Sequence, residues 1–116
     1  MGKEHFKLKL LKEAKEFLMS LDKEIRKKIG ENIRAVQSGV VNPELFQKMP
    51  GTDNLWEFRT LYNGEKYRLF SFWDNENGTF VVATHGILKK DQRTPKKEIV
   101  KAERLKKEYF ENKKKK

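Results

Sequence analysis

A chain of 116 residues has room for one domain, and its 36% hydrophobic and 38% charged residues are typical of a folded domain with a highly charged surface. The absence of cysteine excludes a disulfide framework and thiolate chemistry. No apolar run is long enough to span a bilayer, and the N-terminus lacks the apolar stretch of a signal peptide, so we expect a soluble cytoplasmic protein.

The net charge of +10 is unevenly distributed. Residues 1–88 contain 14 Lys/Arg and 12 Asp/Glu, whereas residues 89–116 contain 13 Lys/Arg and 5 Asp/Glu. A basic pole of this kind attracts polyanions, of which phosphate backbones are the commonest in cells. A solvated basic helix with a loose tail would give the same pattern, so charge alone leaves nucleic-acid binding open.

The first third of the chain predicts one strand and two helices. Apolar and polar residues alternate from His5 to Leu11, which is typical of a short strand. Helical spacing follows over Glu13–Leu21, and Asp22 is a plausible N-cap for a second helix that ends at Gly39. Residues 11–38 should therefore form a helical hairpin with one shared apolar side.

Three strands are predicted after a connection at residues 40–53: Asn54–Leu61, Lys66–Trp73 and Thr79–Leu88. The dipeptides Asn63-Gly64 and Asn77-Gly78 lie between them and are strong turn signals. The simplest arrangement of the three strands is a sequential antiparallel meander.

The last element is a helix, with Thr94 as N-cap and Pro95 in its first position. We expect one domain over residues 1–112 and a disordered Lys113–Lys116 tail. The predicted order is β-α-α-β-β-β-α. This is an α+β fold, with a small, twisted, mainly antiparallel sheet and helices packed on one of its faces.

Period-two geometry predicts a cationic cluster on the helix-free face of this sheet. If the strands pair in order, the cluster collects Glu57, Arg59, Arg68, His85 and Lys89. RNA cleavage by its own 2′-OH needs a base, cations for the dianionic phosphorane, and an acid for the leaving oxygen. Glu57 or His85 could be the base, and His85 or Lys89 the acid, provided that the lysine has a lowered pKa.

A structural interpretation of these residues is equally simple. The arginines and Glu57 could be cross-strand ion pairs on a solvated face, and His85 a satisfied structural histidine. Trp73 and Tyr67 should be core residues, and Tyr109 lies on the apolar stripe of the last helix. Two distant histidines without cysteine give no metal-ligand spacing, and the sequence contains no Gly-rich phosphate loop, so we expect neither a metal nor a cofactor.

Four segments together resemble the RelE/ParE superfamily, in particular its HigB-like, phage-derived branch. They are Leu55-Trp56-Glu57-Phe58-Arg59, Tyr67-Arg68-Leu69-Phe70, His85-Gly86-Ile87-Leu88-Lys89-Lys90, and Thr94-Pro95 before a helix with Ala102 and Arg104. The resemblance covers roughly residues 5–110. It implies a RelE-like fold and the toxin half of a type II toxin–antitoxin system, a metal-independent endoribonuclease that cuts mRNA on the ribosome.

The resemblance also implies roles and partners. The catalytic and phosphate-binding cations would be at Arg59, Arg68, Lys89 and Lys90, and Glu57 matches the family's acid. The further cations expected to bind RNA are Lys66, Arg93, Lys96 and Lys97. The partners would be mRNA, the ribosome and a cognate helix-turn-helix antitoxin of the HigA kind, with no membrane involved.

Two other functions are compatible with the same fold. A ParE-like protein would inhibit DNA gyrase by binding it, without catalysis. A non-catalytic relative would bind RNA with strong salt dependence and leave no cut ends. Fold analogy alone cannot separate the three functions. The Glu-x-Arg, Tyr-Arg and Lys-Lys segments favour the nuclease.

Overall fold

The computed structural model describes residues 4–76, 78–90 and 93–115. Its elements follow in chain order: β1 (Lys7–Leu10), α1 (Lys12–Met19), α2 (Lys23–Gln37), β2 (Phe46–Lys48), β3 (Trp56–Tyr62), β4 (Glu65–Asp74), β5 (Phe80–Lys89) and α3 (Lys96–Lys114). The α+β class is confirmed, and the predicted order lacks only the three-residue β2. None of the helices described is long and apolar enough to cross a membrane.

The five strands form one sheet in the order β1-β5-β4-β3-β2. The predicted antiparallel meander of β3, β4 and β5 is present, and β2 adds to the edge of β3. β1 pairs in parallel with β5 at the other edge. The β3–β4 hairpin turns at Asn63 and Gly64, whose φ values of 51° and 77° are those that a tight two-residue turn requires.

Helices cover both faces of the sheet, which differs from the expected arrangement with helices on one face. On the first face, α1 and α2 bury Ala14, Ile29 and Ile33 against residues such as Phe58 and Leu69. On the second face, α3 places Ala102 among residues of β4 and β5, namely Phe70, Phe72 and Val82. Because the helical hairpin already occupies the first face, the apolar stripe of α3 is buried against the opposite one.

A β-bulge in β5 changes which of its residues share a face. Phe70 pairs with His85 and Ser71 pairs with Ala83, so Thr84 is an extra residue in β5. The bulge puts Val82 on the second face together with His85, and Ala83 on the first. An unbroken period of two, as the sequence pattern suggests, would instead place Val81 and Ala83 on the face of His85 and Lys89, and the bulge prevents this.

Close contact between α1 and β5 explains a glycine in the resembling segments. A Cβ atom at Gly86 would overlap the ring of Phe17, which α1 lays against the strand. Only glycine leaves the space for this ring, so the helical hairpin and the meander can pack closely at this point.

Helix α3 begins within one residue of its predicted start, with Pro95 rather than Thr94 at the N-cap. Its far end corrects the expectation of a disordered tail. The helix continues to Lys114, and Lys113 Nζ lies 2.8 Å from Asp74 Oδ2 and 2.9 Å from Glu76 Oε1. These ion pairs hold the C-terminal turns of α3 on the sheet, whereas Lys116, like the predicted turn residue Asn77, lies outside the described residues.

Candidate active site

The strands β3, β4 and β5 bring four cations together on the second face of the sheet. These cations lie farther along the strands than Phe70, Phe72 and Val82, which α3 covers. Arg59 lies directly opposite Arg68, and Lys66 lies opposite Lys89. Neighbouring strands are about 5 Å apart, so these side chains are within reach of one phosphate group. Together with Glu57, they are called the cationic cluster here: Glu57, Arg59, Lys66, Arg68 and Lys89.

Glu57 bridges the two arginines without satisfying them. Its Oε2 lies 3.6 Å from Arg59 Nε and its Oε1 lies 3.6 Å from Arg68 Nε, both beyond hydrogen-bond distance. Glu57 Oε1 and both Nε atoms are buried without a hydrogen-bond partner among the described residues. Such unpaired buried groups are costly, and an anion that accepts from the two Nε atoms would remove part of the cost.

Arg68 is the most enclosed cation of the cluster. The residue is 4% exposed, and one guanidinium nitrogen, Nη1, donates to the Tyr67 carbonyl oxygen at 3.2 Å. Burial, followed by repulsion from Arg59, lowers the pKa of Arg68, while Glu57 acts in the opposite direction. An arginine stays charged under such conditions. Because little water surrounds the guanidinium group, its attraction for a nearby anion is weakly screened and therefore strong.

Lys89 has the direction of pKa shift that an acid in this site requires. Burial lowers the pKa of Lys89, and the nearby Arg68, Arg59 and Lys66 lower it further, while Glu57 opposes them. A lowered pKa makes the ammonium group a better proton donor near neutral pH. The cluster therefore contains a candidate acid as well as phosphate-binding cations.

Arg59 is oriented by a part of the chain that the sequence predicted to be a loop. Its Nη1 donates to Gln47 Oε1 at 2.9 Å and to the Pro43 carbonyl oxygen at 3.2 Å. Gln47 is in β2, where it pairs with Glu57. Sequence pattern alone does not reveal this residue, because a three-residue strand is too short to produce a periodic signal.

His85 lies on the second face but is separated from the cluster. In the row across the sheet, Phe70 stands between Glu57 and His85, with the Phe70 and His85 rings 4.9 Å apart. The residue is 3% exposed, its Nδ1 lies 3.0 Å from Thr84 Oγ1, and its Nε2 lies 3.1 Å from Glu98 Oε1 of α3. Burial lowers the pKa of His85, although Glu98 opposes the shift. This geometry favours a structural role for His85.

The remaining predicted cations are dispersed around the cluster. Four are exposed on the segment after β5 and in the first turn of α3, and they form no ion pair within the part of the chain that the structure describes: Lys90, Arg93, Lys96 and Lys97. They are free to meet a polyanion, and among the described residues no ion pair links them to the cluster.

The aromatic residues behave as expected from their spacing. Tyr67 is buried, and Trp73 makes an edge contact with Phe6 at 5.4 Å between ring centroids. Tyr109 packs on Phe72, and its hydroxyl donates to Asp74 Oδ2 at 2.6 Å, toward the opposite end of β4 from Arg68. Within residues 4–76, 78–90 and 93–115, no three carboxylate or imidazole groups converge as metal ligands would.

Comparison with known proteins identifies the family of the chain and confirms its fold. The model of the family described as phage-derived protein Gp49-like matches residues 16–107, and the chain belongs to this family. A chain in the crystal structure of the intact E. coli RelBE toxin–antitoxin complex is similar in fold, with a TM-score of 0.53 and 16% sequence identity over 76% of this chain and 99% of that one. No curated protein sequence matches the chain. The RelE-like fold implied by the sequence segments is thereby confirmed.

Proposed function

We propose that this protein is the toxin of a type II toxin–antitoxin system and that it cleaves mRNA on the ribosome without a metal ion. The observation that carries the proposal is the cationic cluster. Among the described residues, four cations surround one carboxylate, and two buried guanidinium nitrogens find no acceptor. Membership of the Gp49-like family and the RelE-like fold support it.

The proposed reaction uses the RNA 2′-OH as nucleophile. Its oxygen forms a bond to the adjacent phosphorus while the bond from phosphorus to the 5′-oxygen breaks, leaving a 2′,3′-cyclic phosphate and a 5′-hydroxyl. Arg59 and Arg68 bind the non-bridging oxygens, on which negative charge increases in the transition state. Removing one such donor from an enzyme lowers the rate by about 10²–10³, so we expect this electrostatic stabilisation to be the largest contribution to catalysis.

Two groups of the cluster are assigned to proton transfer. Lys89 donates a proton to the leaving 5′-oxygen, in accordance with its lowered pKa. Glu57 takes the 2′-OH proton once the phosphate has drawn the two guanidinium groups from its carboxylate. His85 receives no such role, because Thr84 and Glu98 engage both of its ring nitrogens.

The proposed partner is an acidic surface of a cognate antitoxin, a helix-turn-helix protein of the HigA kind. A carboxylate-rich segment would neutralise the cluster and the exposed cations around it, and would thereby exclude RNA. The E. coli RelBE toxin–antitoxin complex provides the precedent of a similar fold in a complex of toxin and antitoxin. A ribosome-bound substrate would also imply action in the cytoplasm.

The burial of both candidate bases favours a second candidate, an RNA-binding protein that does not cut. His85 is sequestered, and Glu57 Oε1 is buried between arginines, so the cluster as it stands is better equipped to hold a phosphate than to move protons. Such a protein would still bind RNA with steep salt dependence.

The decisive experiment incubates purified protein with ribosomes carrying a defined mRNA and determines the chemistry of the RNA ends. We expect cuts within codons that carry 2′,3′-cyclic phosphate and 5′-hydroxyl ends. Intact mRNA with RNA bound would select the non-catalytic candidate, and 5′-phosphate ends would contradict attack by the 2′-OH. A DNA supercoiling assay with gyrase runs in parallel, and inhibition there with intact mRNA would select the ParE-like function.

A further inference from the structure

A small polar pocket opens beside the cationic cluster and extends it in one direction. It has a volume of about 230 Å³ and is lined by residues of β3, β4 and the connection before β2: Glu44, Arg59, Thr60, Leu61, Lys66 and Arg68. Drug-sized ligands occupy roughly 300–1,000 Å³, so this pocket suits a group of about one nucleobase. Arg68, which is 4% exposed and whose Nε has no hydrogen-bond partner among the described residues, forms part of its wall.

Glu44 is the unexpected member of this lining. A carboxylate repels a phosphate, so its presence weakens a site that binds RNA only by charge. Glu44 is exposed and makes no ion pair within the described residues, although three cations share its pocket. Its carboxylate oxygens are therefore available to accept hydrogen bonds from a ligand.

The backbone around Glu44 is tied to the cluster. The Glu44 N–H donates to Asn42 Oδ1 at 2.9 Å, and the neighbouring Pro43 and Leu45 carbonyl oxygens accept from Arg59 Nη1 at 3.2 Å and from Arg59 N at 2.8 Å. The turn thus has a fixed position relative to Arg59. A ligand that contacts Glu44 would be held in register with a phosphate on the arginines.

We infer that this pocket binds a guanine base next to the phosphate held by the cationic cluster. Guanine carries two adjacent N–H donors, N1–H and N2–H₂, which one carboxylate can accept together, and its O6 accepts from a neighbouring cation such as Lys66. Adenine and cytosine each offer a single amino group to the carboxylate. Leu61, which is 65% exposed, gives the ring an apolar contact. The inference rests on the proposed function for its RNA substrate.

The test titrates the purified protein with single nucleotides, so that it does not depend on cleavage. Guanosine monophosphate should bind about tenfold more tightly than adenosine or inosine monophosphate, the latter lacking only the N2 amino group. Glu44→Gln should remove this preference and leave the binding of inorganic phosphate intact. The control Glu65→Gln removes a charge from the same hairpin as Lys66 without lining the pocket, and should keep the preference.

Equal binding of guanosine and adenosine monophosphates, or a guanine preference that survives Glu44→Gln, would overturn the inference. Its failure is distinct from that of the proposed function. Cleavage of mRNA without a guanine preference would refute this pocket alone, whereas a guanine preference without any cleavage would refute the nuclease and leave the pocket.

Discussion

Replacing Arg68 by methionine should separate function from stability. The side chain is buried, its Nε has no acceptor in the part of the chain that the structure describes, and Arg59 lies directly opposite it across the β3–β4 pair. Its partner Glu57 is 3.6 Å away, too far for a hydrogen bond. Desolvation and like-charge repulsion thus oppose its burial, and an apolar side chain of similar length relieves both. Because Arg59 still pairs with Glu57 and leaves no uncompensated buried charge, we expect Arg68→Met to be as stable as wild type, within about 1 kcal/mol.

Cleavage should respond in the opposite direction. Loss of one cation that stabilises the phosphorane corresponds to about 2.7–4 kcal/mol, or a rate lower by 10²–10³. Stability is measured by urea denaturation, with tryptophan fluorescence as the signal. Activity is measured as single-turnover cutting of ribosome-bound mRNA. The control is Arg104→Met on the exposed side of α3, where the ion pair with Glu108 contributes little, so that both readouts should stay near wild type. Wild-type cutting by Arg68→Met, or a stability loss of several kcal/mol, would refute this reasoning.

Three further predictions concern pH and packing. Because the pKa of Lys89 is lowered and its protonated ammonium acts as the acid, the cutting rate should decline as pH rises through a value below 10.5, and Lys89→Arg should keep its rate to higher pH. Identical rate–pH profiles of wild type and variant would contradict the role of Lys89 as acid. The Cβ of Gly86→Ala collides with Phe17, so the free energy of unfolding measured in urea should fall by about 1–3 kcal/mol, whereas Gly30→Ala in α2 meets only the flexible end of a side chain and should leave it unchanged. Equal stabilities of the two variants would contradict the close packing of α1 on β5. Because burial lowers the pKa of His85 in the folded state, the unfolded state binds the proton first, and the free energy of unfolding should fall as pH drops below about 6.5. His85→Gln should flatten this pH dependence between about pH 7.5 and 5.5, and an unchanged slope would show that another group titrates.

The sequence predicts faces well where a strand is regular. In β3 and β4, period-two alternation correctly puts Glu57, Arg59 and Arg68 on one face, because no bulge interrupts those segments. In β5 it fails at Thr84, since the alternation there gives no sign of an extra residue. Lys89 nevertheless reaches the cluster, because it shares a face with His85 on the same side of the bulge.

The contacts that the sequence could not supply are all non-local. β2 exists because Phe46 and Lys48 pair with β3, not through any periodic signal of its own. Glu98 comes from the first turn of α3 and removes His85 from the candidate chemistry, which no local pattern indicates. The position of α3 on the second face likewise depends on which face the helical hairpin already covers.

Sequencing of RNA 5′-hydroxyl ends in cells after induction tests most directly whether the cationic cluster cleaves RNA. We predict new ends within coding regions, in phase with the reading frame, that appear with the wild-type protein and disappear with Arg68→Met. Growth arrest by the wild-type protein with an unchanged pattern of RNA ends would contradict the claim.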